Sequence, residues 1–160
     1  MWRNLLLLLM LSLASSAWAG SRDVVVKNAW VNETVPGQTK VSVQMDVTAT
    51  ASSGKLVAVE SPESESGEIE RMWPSHGKVT MAPVKMVRLP RGKPVSFSER
   101  NFAVMLLGLK HPLKIGEQVP VNLTVVLSDG RKVTVEVKAE VRALELSVKA
   151  YKDAGSPDVK

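Results

Sequence analysis

From position 41 the chain alternates strictly: Val41, Val43, Met45 and Val47 are apolar, while Ser42, Gln44, Asp46 and Thr48 between them are polar. A period of two sends alternate side chains to opposite faces, so this segment reads as a strand with one face in a core. Pro36-Gly37 turns the chain just before it. The run from Val24 to Val31 is rich in β-branched residues and carries Trp30, and the run from Lys55 to Glu60 stops at Ser61-Pro62. Both read as strands bounded by turn chemistry.

The clearest pair lies near the end. Val119, Val121, Leu123, Val125 and Leu127 share one face; Val133, Val135, Val137, Ala139 and Val141 do the same beyond Ser128-Asp129-Gly130. A two-residue Asp-Gly loop sets Val125 against Thr134, apolar against polar. A three-residue loop, with Gly130 as its left-handed residue, pairs Val125 with Val133 and Leu123 with Val135, and this is the register the pattern predicts.

Shorter strands are expected around Glu68–Trp73, Lys78–Met81, Lys85–Leu89, Pro94–Phe97 and Ala103–Leu109, punctuated by Gly and Pro. No 3.6-residue period persists beyond the first residues. Many short strands with turn signals between them predict an all-β protein, a Greek-key β-sandwich or barrel of cupredoxin-like kind. The stretch Ser61–Glu70, with Glu63, Glu65, Glu68 and Glu70 following Glu60, reads as a solvated acidic loop.

The ends qualify this picture. Arg3, an apolar run from Leu5 to Ala14 and Ala17-Trp18-Ala19 have the three parts of a secretory signal peptide over residues 1–19. The run is shorter than the roughly 20 residues a membrane-spanning helix requires, so no stable membrane insertion of the mature chain is expected. The expected organisation is signal peptide 1–19, one sandwich domain 20–142 and a polar tail 143–160, in a periplasmic protein.

The chain has no cysteine, which removes disulfides, thiolate metal sites and cysteine-linked lipid. The formal charge of +5 is spread along the sequence and is not interleaved with aromatics, so nucleic acid is not an expected partner. Two histidines, and none of the nucleophile-elbow, phosphate-loop or paired-histidine motifs, leave no basis for an enzyme. The sequons Asn32-Glu-Thr34 and Asn122-Leu-Thr124 are set aside, the second because Asn122 lies inside a strand.

Between Gly67 and Leu113 stand Met81-Ala-Pro-Val84, Leu89-Pro-Arg-Gly92, Val95-Ser-Phe97 and Val104-Met-Leu-Leu-Gly-Leu-Lys110, then Pro112-Leu113 and Gly116. In this order and spacing they resemble the PCu(A)C family of periplasmic copper chaperones, with weaker similarity from Asn28-Ala-Trp30 to the terminal hairpin. That family holds Cu(I) with the pattern H-x10-M-x21-H-x-M. Laid on this chain, the pattern falls on Glu70, Met81, Ala103 and Met105. Both methionines are in register, and the two histidine positions carry a carboxylate and a methyl group.

The resemblance implies a Cu(I) carrier that delivers copper to a copper-receiving oxidase or another periplasmic copper protein. The residues qualify that implication. Cu(I) is soft and suits thioether and imidazole; a carboxylate is a hard ligand and alanine is none. Met81 and Met105 are the metal candidates, and each could equally fill a gap in the core. Met72, two residues after Glu70 on the same strand face, is a candidate third sulfur, and Glu70 a weak hard-cation ligand. His76, in the turn between the strands of Met72 and Met81 with Trp73 beside it, is a candidate for a relocated site, the indole adding a cation–π contact. His111 reads as a surface residue.

Two functions therefore stand open: a copper-trafficking protein with weakened or lost copper binding, and a non-metal periplasmic adaptor that reuses the same sandwich. The first expects Glu70, Met81, Ala103 and Met105 to converge on one rim.

Overall fold

Ten strands, in the order of the chain, make up the fold: β1 (Val24–Asn32), β2 (Lys40–Ala49), β3 (Gly54–Glu60), β4 (Ser64–Ser75), β5 (Lys78–Pro83), β6 (Val87–Leu89), β7 (Val95–Phe97), β8 (Phe102–Leu109), β9 (Gln118–Leu127) and β10 (Lys132–Arg142). The computed structural model describes residues 22–98 and 101–144, and no helix occurs among them. The expected signal peptide, and all but the first two residues of the expected tail, lie outside the described residues.

The strands join into one sheet in the order β5-β4-β8-β7-β2-β1-β10-β9-β3-β6, with β8 also pairing directly to β2. Chain neighbours seldom sit together beyond the hairpins, so connections cross between layers in the Greek-key manner. Folding the sheet on itself encloses a core of Val31, Val43, Met45, Val47, Leu56, Phe97, Val104, Leu106, Leu123 and Val125, all buried. Val43, Met45, Val47, Leu123 and Val125 among them are alternating apolar positions read from the sequence. Phe97 is fully buried, and its ring lies 6.3 Å from that of Phe102.

The last hairpin has the register the alternation requires, Val125 opposite Val133 and Leu123 opposite Val135. Gly130 takes φ +86° and donates its N–H to the Leu127 carbonyl, closing the loop. β1 is antiparallel to β2 and parallel to β10, and it bulges between Lys27 and Trp30. At the bulge Asn28 adopts φ +54°, and its amide donates to the Asp46 carboxylate at 2.8 Å.

β3 and β4 approach without a ladder. A Cβ on Gly67 would lie 2.3 Å from the Val59 carbonyl oxygen, so only glycine admits this contact.

The acidic segment departs from expectation. It is no solvated loop beyond Ser64, because that residue already begins β4, which runs to Ser75 between β5 and β8. Glu65 and Glu68 remain exposed, whereas Glu70 is buried at 6% exposure. A charge-rich sequence pairs as a strand here because β8 supplies backbone partners and packs Ile69 into the core. The expected strands Lys85–Leu89 and Pro94–Phe97 shorten to Val87–Leu89 and Val95–Phe97, the second because the ring nitrogen of Pro94 has no hydrogen to donate.

Candidate metal centre

The face of interest is the outer side of β2, β8, β4 and β5, opposite the main core. On β8, Val104 and Leu106 point into the core, so Ala103, Met105 and Leu107 point outward. On β4, Ile69 enters the core and Glu68, Glu70 and Met72 share the outer side. The ladders align these strands: Glu70 pairs with Ala103 and Glu68 with Met105. On the other flank Met72 pairs with Met81 and Glu70 with Pro83.

Paired residues in a ladder present side chains to the same side. Glu70, Met81, Ala103 and Met105, scattered over 36 positions of sequence, therefore meet on one face, with Met72 among them. Met72, Ala103 and Met105 form a buried cluster of their own, separate from the main core and flanked by Leu107. Met105 packs in this smaller cluster and not in the main core, and Met81, 45% exposed, is not a core residue.

Lys40, on no part of the motif, completes the face. In the β2–β8 ladder Ser42 pairs with Met105 and Lys40 with Leu107. Lys40 and Glu70 thus occupy rows on either side of the Met105 row, and the ammonium crosses β8 diagonally to reach Glu70 Oε1 at 2.8 Å. The second oxygen, Oε2, is buried with no hydrogen-bond partner among the described residues. A buried carboxylate demands such a cation. Spacing along the chain gave no sign of Lys40; the outward positions of β2 contain it, but only the β2–β8 adjacency brings it to the motif.

The other candidates lie further off. His76 and Gly77 form the tip of the β4–β5 hairpin with φ +49° and +74°, a two-residue turn with both residues left-handed. The imidazole is exposed, and its Nδ1 lies 3.1 Å from Ser75 Oγ. Trp73 falls on the side of the strand opposite Met72 and is 37% exposed. Trp73 accordingly does not share the side of Met72, and His76 stands at the hairpin tip, four positions beyond Met72. His111 is exposed and bonded to Glu63. Among the described residues no group of three or more His, Cys, Asp or Glu is placed to hold a metal. What the motif face offers a cation is thioether sulfur and one carboxylate oxygen, a set suited to a soft ion held weakly.

Three comparisons bear on this face. A family model described as "Putative lipoprotein LpqE-like" matches residues 24–139. None of the curated proteins matches the chain. Among solved structures, the copper-bound PCuAC domain from PmoF2 is similar with a TM-score of 0.58 and 18% identity, over 76% of this chain and 93% of that one. The apo PCuAC domain from PmoF1 gives 0.58 and 22% over 76% and 94%. Apo-DR1885 from Deinococcus radiodurans, a solution structure, gives 0.56 and 28% over 81% and 86%.

Proposed function

Since the chain belongs to the LpqE-like family and has the fold of PCuAC domains, we propose that it is an extracytoplasmic protein of the copper-trafficking type, non-enzymatic, whose copper site has been weakened by loss of both imidazoles. The cargo is Cu(I), and the ligands are the thioethers of Met81 and Met105, with Met72 as a third sulfur and Glu70 as an auxiliary oxygen. The recipient is another extracytoplasmic copper protein, such as an oxidase.

One observation supports this reading: Glu70, Met81, Ala103 and Met105, distant in sequence but matching the copper motif in spacing, fall on one face of β5, β4 and β8. Copper held by two of the similar structures, the PmoF2 domain and CuI-DR1885, supports it. With a carboxylate and a methyl where imidazoles are expected, affinity falls by several powers of ten, each about 1.4 kcal/mol. The family description speaks of a lipoprotein, yet none of the 160 residues is a cysteine that could carry a thioether-linked lipid.

The test is a Cu(I) titration against a competing chelator, comparing wild type with the Glu70→His/Ala103→His variant. The variant is expected to bind about a hundredfold tighter or more. Equal affinity in the two proteins overturns the reading.

A second reading is favoured by one feature, the exposure of Val79 and Met81 on one side of the β4–β5 arm, at 70% and 45%, with Trp73 on the other. A non-metal adaptor would use that apolar arm as a protein contact. It predicts no stoichiometric copper in wild type and loss of the partner on Val79→Lys.

A further inference from the structure

The copper reading makes no use of the Lys40–Glu70 ion pair, although the pair lies across the same face. Its two members differ in freedom. The Glu70 side chain is 8% exposed and that of Lys40 is 47% exposed. Glu70 is therefore held by packing, while Lys40 can leave for water by rotating its long stem. The contact engages only Oε1, and Oε2 faces no donor among the described residues.

We propose that Lys40 is a built-in competitor for the cargo: its ammonium occupies the carboxylate that an incoming monovalent copper ion would otherwise neutralise, so the thioether face loads only when Lys40 is displaced to solvent. The proposal rests on the copper reading and deepens it by naming what regulates loading.

With Lys40 seated, the pair is neutral and a second cation arriving beside Met105 meets a like charge at close range. With Lys40 swung out, Cu(I) and Glu70 form the neutral pair instead, and the ammonium regains its hydration. The exchange conserves charge on the face, and its position is set by the copper concentration. Lys40 so placed lowers the apparent copper affinity by the fraction of protein in which its ammonium has left the carboxylate, and it leaves the shape of the loading curve unchanged.

Full-length wild type, Lys40→Gln, Lys40→Arg and Lys40→Gln/Glu70→Gln are titrated with Cu(I) against a chelator of modest strength. Lys40→Gln is expected to bind about tenfold tighter than wild type, Lys40→Arg to show no gain, and the double variant to return to about the wild-type value. No gain in Lys40→Gln, or a gain that survives in Lys40→Arg or in the double variant, overturns the proposal. A measurement on wild type stands beside the variants: Cu(I) should speed acetylation of Lys40 by a lysine-modifying reagent relative to the other lysines, and an unchanged rate counts against it. If Glu70→His/Ala103→His gains copper while Lys40→Gln does not, the competitor fails and the copper reading survives; if neither gains, both fail.

Discussion

Met72 stands directly opposite Met81 in the β4–β5 ladder, with one side chain 7% exposed and the other 45% exposed. The ladder thus presents a covered sulfur and an open one side by side, the open one being where an ion could be handed over. Met81→Leu is expected to leave stability within about 0.5 kcal/mol, since the site is exposed. The same change should lower residual Cu(I) affinity about tenfold by removing a soft donor. Met105→Ala should instead cost about 2–5 kcal/mol through the cavity it leaves beside Ala103. Denaturant unfolding and chelator competition on both variants check the pair of outcomes.

Gly67 tests how the sandwich closes. A methyl there meets the backbone of Val59, which cannot rotate aside as a side chain would. Gly67→Ala should therefore lose about 3 kcal/mol, at the upper end of overpacking costs, with β3 and β4 forced apart. A thermal midpoint equal to wild type would show that the two strands accommodate the group.

The Lys40–Glu70 pair makes a separate prediction for stability. Lys40→Ala strands a buried carboxylate, and because Lys40 is half exposed the cost should be about 1–2 kcal/mol, below that of a fully buried pair. Adding Glu70→Leu should restore most of it, since an apolar side chain suits the neighbours Met72 and Met105. A double-mutant cycle in urea measures both steps.

A small pH dependence is expected at His111. A hydrogen bond from its Nδ1 to the Pro112 carbonyl at 3.1 Å, and then the Glu63 carboxylate, raise its pKa above the ordinary 6.5. The folded protein holds this proton more tightly than the unfolded chain does. The resulting stabilisation is fully present below 6.5 and is lost as pH rises through the elevated folded value. His111→Gln should flatten the stability profile across that window, read by chemical denaturation, with little effect elsewhere because the site is solvated.

Much of the fold was legible because each strand obeys one local rule. The alternation through Val125 and Val133 specified not only two strands but their register, since any one-residue slip sets valine against threonine. The same rule underread β4, where four of twelve residues are charged and pairing to β8 overrides composition. At the candidate site, Glu70, Met81, Ala103 and Met105 were grouped only through the family motif laid on the chain, and the ladders put all four on one face of β5, β4 and β8. The motif gave no access to Lys40, whose relevance depends on β2 lying beside β8, a long-range adjacency with no local signature. Nor did it give the burial of Glu70, which follows from strands that cover both sides of β4.

The parallel pairing of β1 with β10 gives the molecule a polarity. Asn32 lies beside Arg142, so chain leaving β10 departs from the pole opposite the one where Val24 enters. Counting senses through β2 and β8, β4 runs downward toward the pole of Val24, and the His76 tip points the same way. Val24 therefore sits at the pole toward which the methionine-bearing arm reaches, and Arg142 at the opposite one. A fusion joined directly at Val24 would crowd that arm, whereas one joined directly at Arg142 would leave it unobstructed.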